Sequence, residues 1–579
     1  MLGTYASLLL VLGCSALVGQ AIHRLSGRRD WSWTSPAVGL AAMLALSWAT
    51  VRLPGEGLAA LAALSAASAG AAFHLRGSAS ELARSLRDGA PLALAAALAA
   101  SLPFIVEMRF GILGTGLNPD MSQHLFAVDR LASGGSERLI AEGYPLGPQA
   151  LVTALAELGP SSVHAFDGLM LTVAIATCLA PLGVLAELSP WRRIAGALLV
   201  GFAYLLAANH VQGAFKEAIE ALFVLTFAIG LGELAKDWTL TQGSRRLLRG
   251  LPLALLAIGS VYTYSFPGLV WIVGAALVWA AIELLRESRR TGVRDALRRA
   301  RPAAATALAT LAVVVAAMLP ELGRMIDFAS FETFNPDGAG LGNLFNRLSP
   351  LEAFGIWPSG DYRVEPGDGA VPAIVFYLGA ALGVGAFAFG ARRWIAGGDR
   401  AVPAAVLAAA ALWLYAYAGG TPYQEAKALV IVAPLIVLIS VRAVLAAAPI
   451  AVVVAFLLAA GGSSALALVN GPVGPSGYSP ELAEVGEDLD GSVFVVAPTE
   501  LLADQHGRDY LVWELRGNRV CVAEPGASAP LPGVGTLSVA IDDDGAVVPE
   551  GAYLIRGGGE SEACPLIEDN ARADPAADD

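Results

Sequence analysis

The chain has 579 residues and a formal net charge of −13, with 56% hydrophobic and only 15% charged residues. A soluble domain carries about 25% charged residues, so this deficit over hundreds of residues requires a low-dielectric surround. The acidic balance excludes a basic groove for nucleic acid. We therefore expect an integral membrane protein with no nucleic-acid partner.

Apolar runs recur along most of the chain, and each is long enough to cross a hydrocarbon layer of about 30 Å. We predict an all-α polytopic membrane domain over residues 1–469 with about 14 transmembrane helices. The predicted spans are 3–22, 36–52, 57–75, 90–107, 165–188, 194–208, 215–235, 251–266, 268–285, 303–320, 371–391, 402–418, 427–441 and 450–469.

The distribution of basic residues predicts the orientation. No Lys or Arg precedes the first span, which favours a retained helix with its N-terminus outside over a cleaved signal peptide. With that orientation, 23 of the 37 Lys and Arg fall in cytoplasmic segments and nine in outer segments before residue 470. We expect a multi-pass cell-membrane protein whose N-terminus and C-terminal domain are extracytoplasmic.

Two long outer loops interrupt the spans. Loop 108–164 has helical periodicity after Met121 and after Gly147, which predicts helices that lie along the membrane interface. Loop 321–370 is rich in Gly, Pro, Asn and interleaved aromatic residues, and this composition argues against disorder.

The C-terminal region predicts a small soluble α/β domain over residues 470–568, followed by a disordered acidic tail at 569–579. Strand patterns occur at 493–497, 519–523, 537–541 and 553–556, with a helical pattern at 499–516. Cys521 and Cys564 would lie in a compartment that permits disulfides, and the sequence leaves their pairing open.

Polar clusters mark several outer helix ends. Asp120 and His124 are four residues apart and share a helix face, although Asp120 can equally be an N-cap and His124 a surface residue. Glu142 and Tyr144 lie in a Gly/Pro-rich stretch that also fits a simple turn.

Two further clusters contain lysine. Lys216 and Glu220 have the spacing of a helix-surface ion pair. Tyr423 and Lys427 fit an interfacial anchor.

The use of lysine favours a binding site over these structural alternatives. Only three of the 37 basic residues are Lys, and two of them, Lys216 and Lys427, lie at outer helix mouths. A compact ammonium suits point contact with a phosphate. Arg324, Arg347 and Arg363 lie on the same side. We expect an outer pocket for an anionic, lipid-linked substrate.

These residues resemble the GT-C superfamily of integral-membrane glycosyltransferases, which use polyprenyl-phosphate-linked sugars. The match rests on the acidic residue followed by His in 118–125, the Tyr-Pro stretch at 143–148, and the outer helix ends at 213–217 and 423–428. The resemblance covers roughly residues 90–440 in architecture. Three spans precede the acidic loop, where many members have one, so the subfamily and the acceptor stay open.

The resemblance implies extracytoplasmic sugar transfer to a glycan or lipid acceptor, with Asp120 as the general base. Lys216 and Lys427 would stabilise the departing polyprenyl phosphate, and His124 would orient Asp120 or bind a sugar hydroxyl. No nucleotide or other cofactor is implied. The loop lacks a paired Asp-Asp or Asp-Glu, so no metal is indicated.

Three other functions remain open. The chain can be a transporter or flippase of a lipid-linked or small anionic substrate, which predicts mid-membrane charges and broken helices. A polymerase or ligase of lipid-linked glycans would favour basic residues and His in the outer loop. A membrane scaffold would use the C-terminal domain to bind partners.

Overall fold

The computed structural model describes residues 1–28, 30–115, 117–118, 120–134, 138–236, 245–331 and 340–474, together with 493–496, 540–541 and 553–556. These residues form twenty α-helices and three short strands. The helices are α1 (Leu2–Leu25), α2 (Ser35–Val51), α3 (Glu56–Leu75), α4 (Ala79–Ala100), α5 (Leu102–Val106), α6 (Met121–Ser133), α7 (Arg138–Ala141), α8 (Gly147–Ala156), α9 (Ser162–Leu179), α10 (Pro190–Gly201), α11 (Tyr204–Val211), α12 (Phe215–Lys236), α13 (Arg245–Leu248), α14 (Leu251–Thr291), α15 (Val293–Met318), α16 (Leu322–Phe328), α17 (Ala373–Ala396), α18 (Ala401–Gly419), α19 (Pro422–Ala447) and α20 (Ile450–Val469).

The many long apolar helices are those of a polytopic membrane protein. Among the described residues, ten helices are long and apolar enough to cross a membrane, and the count rises to eleven if α10 and α11, bent by 57°, form one span. The predicted count of fourteen is not confirmed by this criterion. Helix α2 has only 17 residues, and the predicted span 90–107 is divided at Ser101 between α4 and α5.

Helix α14 is long enough to count as one span, but the chain reverses its direction within it. Ser265 has a non-helical backbone, with φ 58° and ψ −149°. A β-carbon built on Gly268 would lie 2.9 Å from the Ser260 carbonyl oxygen. Residues eight apart in a straight helix are separated by about 12 Å. The two arms of α14 therefore fold back on each other at Ser265, close to the boundary predicted between spans 251–266 and 268–285.

The helices form a layered bundle in which α9 and α19 are central. All residues in the most apolar stretch of α9 are buried, as are 94% of those in the corresponding stretch of α19. In α15 only 11% of these residues are buried. The outer helices therefore present apolar side chains to lipid. Close packing depends on small residues: β-carbons built on Gly19 or Gly39 would lie 1.8 Å from a backbone oxygen of the neighbouring helix.

The helices of the first outer loop belong to the packed interior. α6 and α8 begin where the periodicity predicts, at Met121 and Gly147. The prediction that they lie along the membrane interface needs correction for α8, because every residue from Gly147 to Leu155 is buried. α8 packs against α2, α3, α6 and α9. Its apolar residues therefore face protein on all sides.

The C-terminal region contains a small antiparallel sheet. Strands β1 (Val493–Val496), β2 (Ala540–Ile541) and β3 (Tyr553–Arg556) have the order β1-β3-β2, with Val493 paired to Arg556. These strands coincide with three of the four predicted strand segments. The fourth strand, the helix at 499–516, Cys521, Cys564 and the tail lie outside the described residues, and the α/β domain stays a prediction.

Candidate functional site

A polar cavity lies where the first turns of α6, α12 and α19 meet. The cavity is small, because the centre of a water molecule can occupy only about 40 Å³ of it. Its walls also include the turn between α11 and α12 and parts of the second outer loop. The lining residues are Asn118, Asp120, Met121, His124, Asn209, Gln212, Gly213, Ala214, Phe215, Lys216, Glu217, Asn343, Leu344, Tyr362, Tyr423, Ala426, Lys427 and Val430.

Three helix N-termini therefore face one space. Asp120 is the N-cap residue of α6, Lys216 is the second residue of α12, and Tyr423 is the second residue of α19. A helix N-terminus carries a partial positive charge and unpaired N–H groups, so each favours an anion. The arrangement favours a negatively charged group in the cavity.

The start of α19 is fixed by its local sequence. The Thr421 side chain accepts a hydrogen bond from the Gln424 N–H at 3.3 Å, and the Gln424 side chain accepts one from the Thr421 N–H at 3.2 Å. This is a capping box, with Pro422 at the first helical position. The box sets the start of the helix, and thereby holds Tyr423 and Lys427 at the cavity.

The Asp120 carboxylate is not used to cap its own helix. Although Asp120 is the N-cap residue of α6, its side chain makes no capping hydrogen bond. Its backbone N–H donates to the Asn118 side-chain oxygen at 3.3 Å, and its carbonyl accepts from the His124 N–H at 3.2 Å. The N-cap alternative therefore explains the position of Asp120 but gives its carboxylate no capping role.

His124 is a buried, neutral imidazole. Burial, reinforced by the nearby Lys216 ammonium, holds the pKa of His124 well below its ordinary value of 6.5. The Gln149 side-chain amide is hydrogen-bonded to Nδ1 at 3.0 Å. The ring packs edge-on against Phe215 and tilted against Tyr144. The alternative of an exposed histidine is therefore wrong.

Lys427 forms an ion pair across the cavity with a residue that the sequence did not single out. Its ammonium lies 3.0 Å from a Glu217 carboxylate oxygen, and the Tyr264 hydroxyl donates to the same carboxylate at 3.2 Å. Lys427 also stacks over the Tyr423 ring at 4.2 Å. This pair neutralises one charge of each sign within the cavity wall.

Lys216 is held differently. Its ammonium lies 4.2 Å from the centre of the Tyr144 ring, a cation–π contact. Tyr144 does not line the cavity itself, but it orients Lys216 and packs against His124. Lys216 is thus supported by an aromatic face and lines the same cavity as Asp120.

The second outer loop covers one side of the cavity. The Gln212 side-chain oxygen accepts hydrogen bonds from Asn343 and from the Tyr362 hydroxyl, both at 2.9 Å. Gly342 has φ +59°, and a β-carbon built there would lie 2.6 Å from the Tyr423 ring. Only glycine allows the loop to approach α19 this closely.

Several predicted site residues lie outside the cavity lining. Glu220 is fully buried and accepts a hydrogen bond from Ser260 at 3.2 Å, away from Lys216. Arg324 pairs with Glu321 at 2.7 Å and also donates to the Gly143 carbonyl.

The other predicted residues have structural environments of their own. Arg363 pairs with Asp361 at 2.8 Å and stacks on Phe345. Arg347 pairs with Glu425 at 3.2 Å. Glu142 does not line the cavity. These arginines therefore brace the outer loops and helix ends.

Sequence reasoning missed Glu217, Gln212, Asn343 and Tyr362 as cavity residues. Glu217 follows Lys216 directly in the sequence. Its ion-pair partner, Lys427, lies on another helix, so the local sequence around Glu217 does not indicate the pair. Gln212 and Tyr362 lie far apart in the sequence. They form a hydrogen bond because the second outer loop folds over the cavity. Among the described residues, no group of three His, Cys, Asp or Glu side chains is close enough to hold a metal ion.

The fold and the cavity define a helical, polytopic membrane protein with a charged cleft at one end of its central helices. Comparison with known proteins identifies no family to which the chain is similar. No family model, no curated protein and no solved structure matches the chain.

Proposed function

We propose that the chain is an integral-membrane glycosyltransferase that moves a sugar from a polyprenyl-phosphate donor to an extracytoplasmic glycan or lipid acceptor. The observation that carries the proposal is that Asp120, Lys216 and Lys427 line one cavity faced by three helix N-termini. This set pairs one base with several groups that favour a phosphate. It is the combination that this transfer needs.

In the proposed reaction, an acceptor hydroxyl attacks the anomeric carbon of the lipid-linked sugar. The bond between that carbon and the phosphate oxygen breaks, and its electron pair stays on the polyprenyl phosphate. Asp120 takes the hydroxyl proton, a role typically worth 10²–10⁴-fold in rate. The reaction is balanced without a nucleotide because the donor is already activated.

The cations act on the leaving group. Negative charge develops on the phosphate as its bond to the sugar breaks, so fixed positive charge stabilises the transition state more than the ground state. Lys216 and the helix N-termini supply this field directly. Lys427 supplies it in part, because Glu217 balances its charge. Neutral His124 lines the cavity and can form a hydrogen bond with a sugar hydroxyl.

The proposal includes a topology. The bent pair α10–α11, the second arm of α14, α2 and the α4–α5 segment would together bring the span count from ten to the fourteen predicted from sequence. The positive-inside distribution puts the cavity at the extracytoplasmic face of the cell membrane. A polyprenyl donor would approach from the outer leaflet. The described C-terminal strands would belong to an extracytoplasmic α/β domain.

One observation favours a second candidate, a transporter or flippase of a lipid-linked or small anionic substrate. Helices α10 and α11 are joined by a bend of 57°, as in a broken span. Broken helices are typical of transport sites. The glycosyltransferase remains our proposal because the charged cluster lies at helix ends.

One experiment separates the two functions. Purified protein in detergent micelles is supplied with radiolabelled polyprenyl-phosphate sugar and an extract of envelope glycans and lipids. A glycosyltransferase moves the label to acceptor and releases polyprenyl phosphate. If the label stays on the donor in micelles but crosses the bilayer of sealed proteoliposomes, the protein is a transporter.

A further inference from the structure

A second, larger cavity lies at the opposite ends of α12 and α19. The centre of a water molecule can occupy about 590 Å³ of it, and its walls include Gly232 of α12 and Ile439 of α19. Residues 217 and 232 of α12 are separated by about 22 Å at the rise of an α-helix. The two cavities therefore open at opposite faces, and the predicted orientation puts this one on the cytoplasmic side.

Arginines from four segments line this cavity. Arg286 comes from α14, Arg393 from α17, Arg442 from α19, and Arg400 directly precedes α18. The lining also contains three acidic residues, Glu187, Glu283 and Asp399. Whether the cavity favours anions therefore depends on how these charges are paired.

The pairing leaves an excess of guanidinium donors. Glu283 is shared, because Arg286 and Arg400 each lie 3.4 Å from it. Arg442 contacts Glu187 through Nε at 2.8 Å, and Glu187 is half exposed. A guanidinium has five N–H donors, so one Nε contact leaves Arg442 with donors to spare. Asp399 accepts a hydrogen bond from the Ala401 N–H at the start of α18.

A buried indole supplies a further donor. Trp394 is only 4% exposed, and among the described residues its Nε1 has no hydrogen-bond partner. The Arg442 guanidinium stacks over its ring at 4.6 Å. An unsatisfied buried donor is costly, and an acceptor bound in the cavity would satisfy it. Tryptophan and arginine together are typical of the lipid headgroup region.

We infer that this cavity binds the phosphate of an anionic phospholipid headgroup from the leaflet on that side. Basic pockets between membrane helices on the cytoplasmic side bind such headgroups, and arginine forks match phosphate oxygens. The lining also contains apolar residues that provide a wall for an acyl chain: Ala235, Ile439, Ala443 and Ala446. The inference uses no residue of the first cavity and is independent of the proposed glycosyl transfer.

The test is native mass spectrometry of the full-length protein after exchange into mixed micelles of phosphatidylglycerol and phosphatidylcholine. The test variant is Arg393→Gln/Arg442→Gln. The control is Arg298→Gln/Arg299→Gln, which removes two arginines of α15 that form exposed ion pairs but do not line the cavity. Trp394→Phe serves as a milder variant that keeps the ring and loses only the N–H donor.

The wild type and the control variant are expected to retain phosphatidylglycerol in preference to phosphatidylcholine. The arginine variant should retain about thirtyfold less, because each of its two lost arginines contributes about 1 kcal/mol near an anionic lipid, and Trp394→Phe should show a smaller loss. Equal losses in the test and control variants would overturn the inference. Displacement of the lipid by free inorganic phosphate would contradict a lipid occupant. If the arginine variant does not fold, unchanged retention in Trp394→Phe overturns it.

Discussion

Glu217 and Lys427, from different helices, form an ion pair with 3.0 Å between carboxylate oxygen and ammonium nitrogen in the wall of the candidate site. Both side chains are largely buried, with 6% and 17% of their surfaces exposed. A charge in such a place needs a partner, because desolvation is costly. The pair therefore links the start of α12 to the start of α19 and shapes the cavity between them.

Breaking this pair from one side should destabilise the protein. Lys427→Met leaves the Glu217 carboxylate buried without its cation, which we expect to cost about 3 kcal/mol in the free energy of unfolding. Thermal unfolding in detergent measures the loss as a lower Tm. The control is Arg299→Gln, whose ion pair with Glu287 is more exposed and should cost less than about 1 kcal/mol. Equal effects of the two substitutions would contradict the role of the Glu217 pair.

The buried His124 predicts an acid-sensitive fold. The pKa of His124 is held well below 6.5 by burial and by Lys216, so the folded protein keeps this ring neutral. The unfolded chain binds a proton below about pH 6.5, so the unfolding free energy falls as the pH drops, by at most about 1.4 kcal/mol per pH unit. Above that pH the contribution of His124 to the free energy of unfolding does not change with pH.

The measurement for His124 compares Tm between pH 5 and 7 in wild type and in His124→Gln, which keeps a hydrogen-bonding side chain beside Gln149. Other groups titrate in both proteins, so only the difference between the two curves is interpreted. The wild type should lose more stability on acidification than the variant. Parallel curves would show that His124 does not titrate as its burial requires.

Gly342 controls how closely the second outer loop approaches the cavity. Gly342→Ala puts a β-carbon within 2.6 Å of the Tyr423 ring at a φ of +59°, so the loop must move. We expect a loss of about 1–2 kcal/mol in stability, together with weakened activity. The control is Gly369→Ala in the same loop, where a β-carbon meets open space. A Gly342→Ala protein as stable and active as Gly369→Ala would show that the loop does not shape the site.

The sequence predicts the membrane architecture well because hydrophobicity at span length is a local property. The periodicity also predicts the starts of α6 and α8, and the break between spans 251–266 and 268–285 lies within two residues of Ser265. Local hydrophobicity does not fix the count of spans, since α2 and the first arm of α14 are short.

The cavity is only partly predictable from sequence. Asp120, His124, Lys216, Tyr423 and Lys427 were expected at converging helix mouths, and all five line the cavity. The i, i+4 spacing of Lys216 and Glu220 suggested a pair, yet Lys216 contacts Tyr144 and Glu220 contacts Ser260. Partners from distant segments decide these environments, and single-sequence spacing carries no information about them.

The most direct test of the glycosyl-transfer account is the transfer rate of Asp120→Asn with radiolabelled polyprenyl-phosphate sugar. Asp368→Asn, an exposed outer-loop substitution outside the cavity lining, is the matched control. We predict that Asp120→Asn lowers the rate by about 10²–10⁴-fold with an unchanged Tm, whereas Asp368→Asn transfers at the wild-type rate. Undiminished transfer by a folded Asp120→Asn protein would contradict the account.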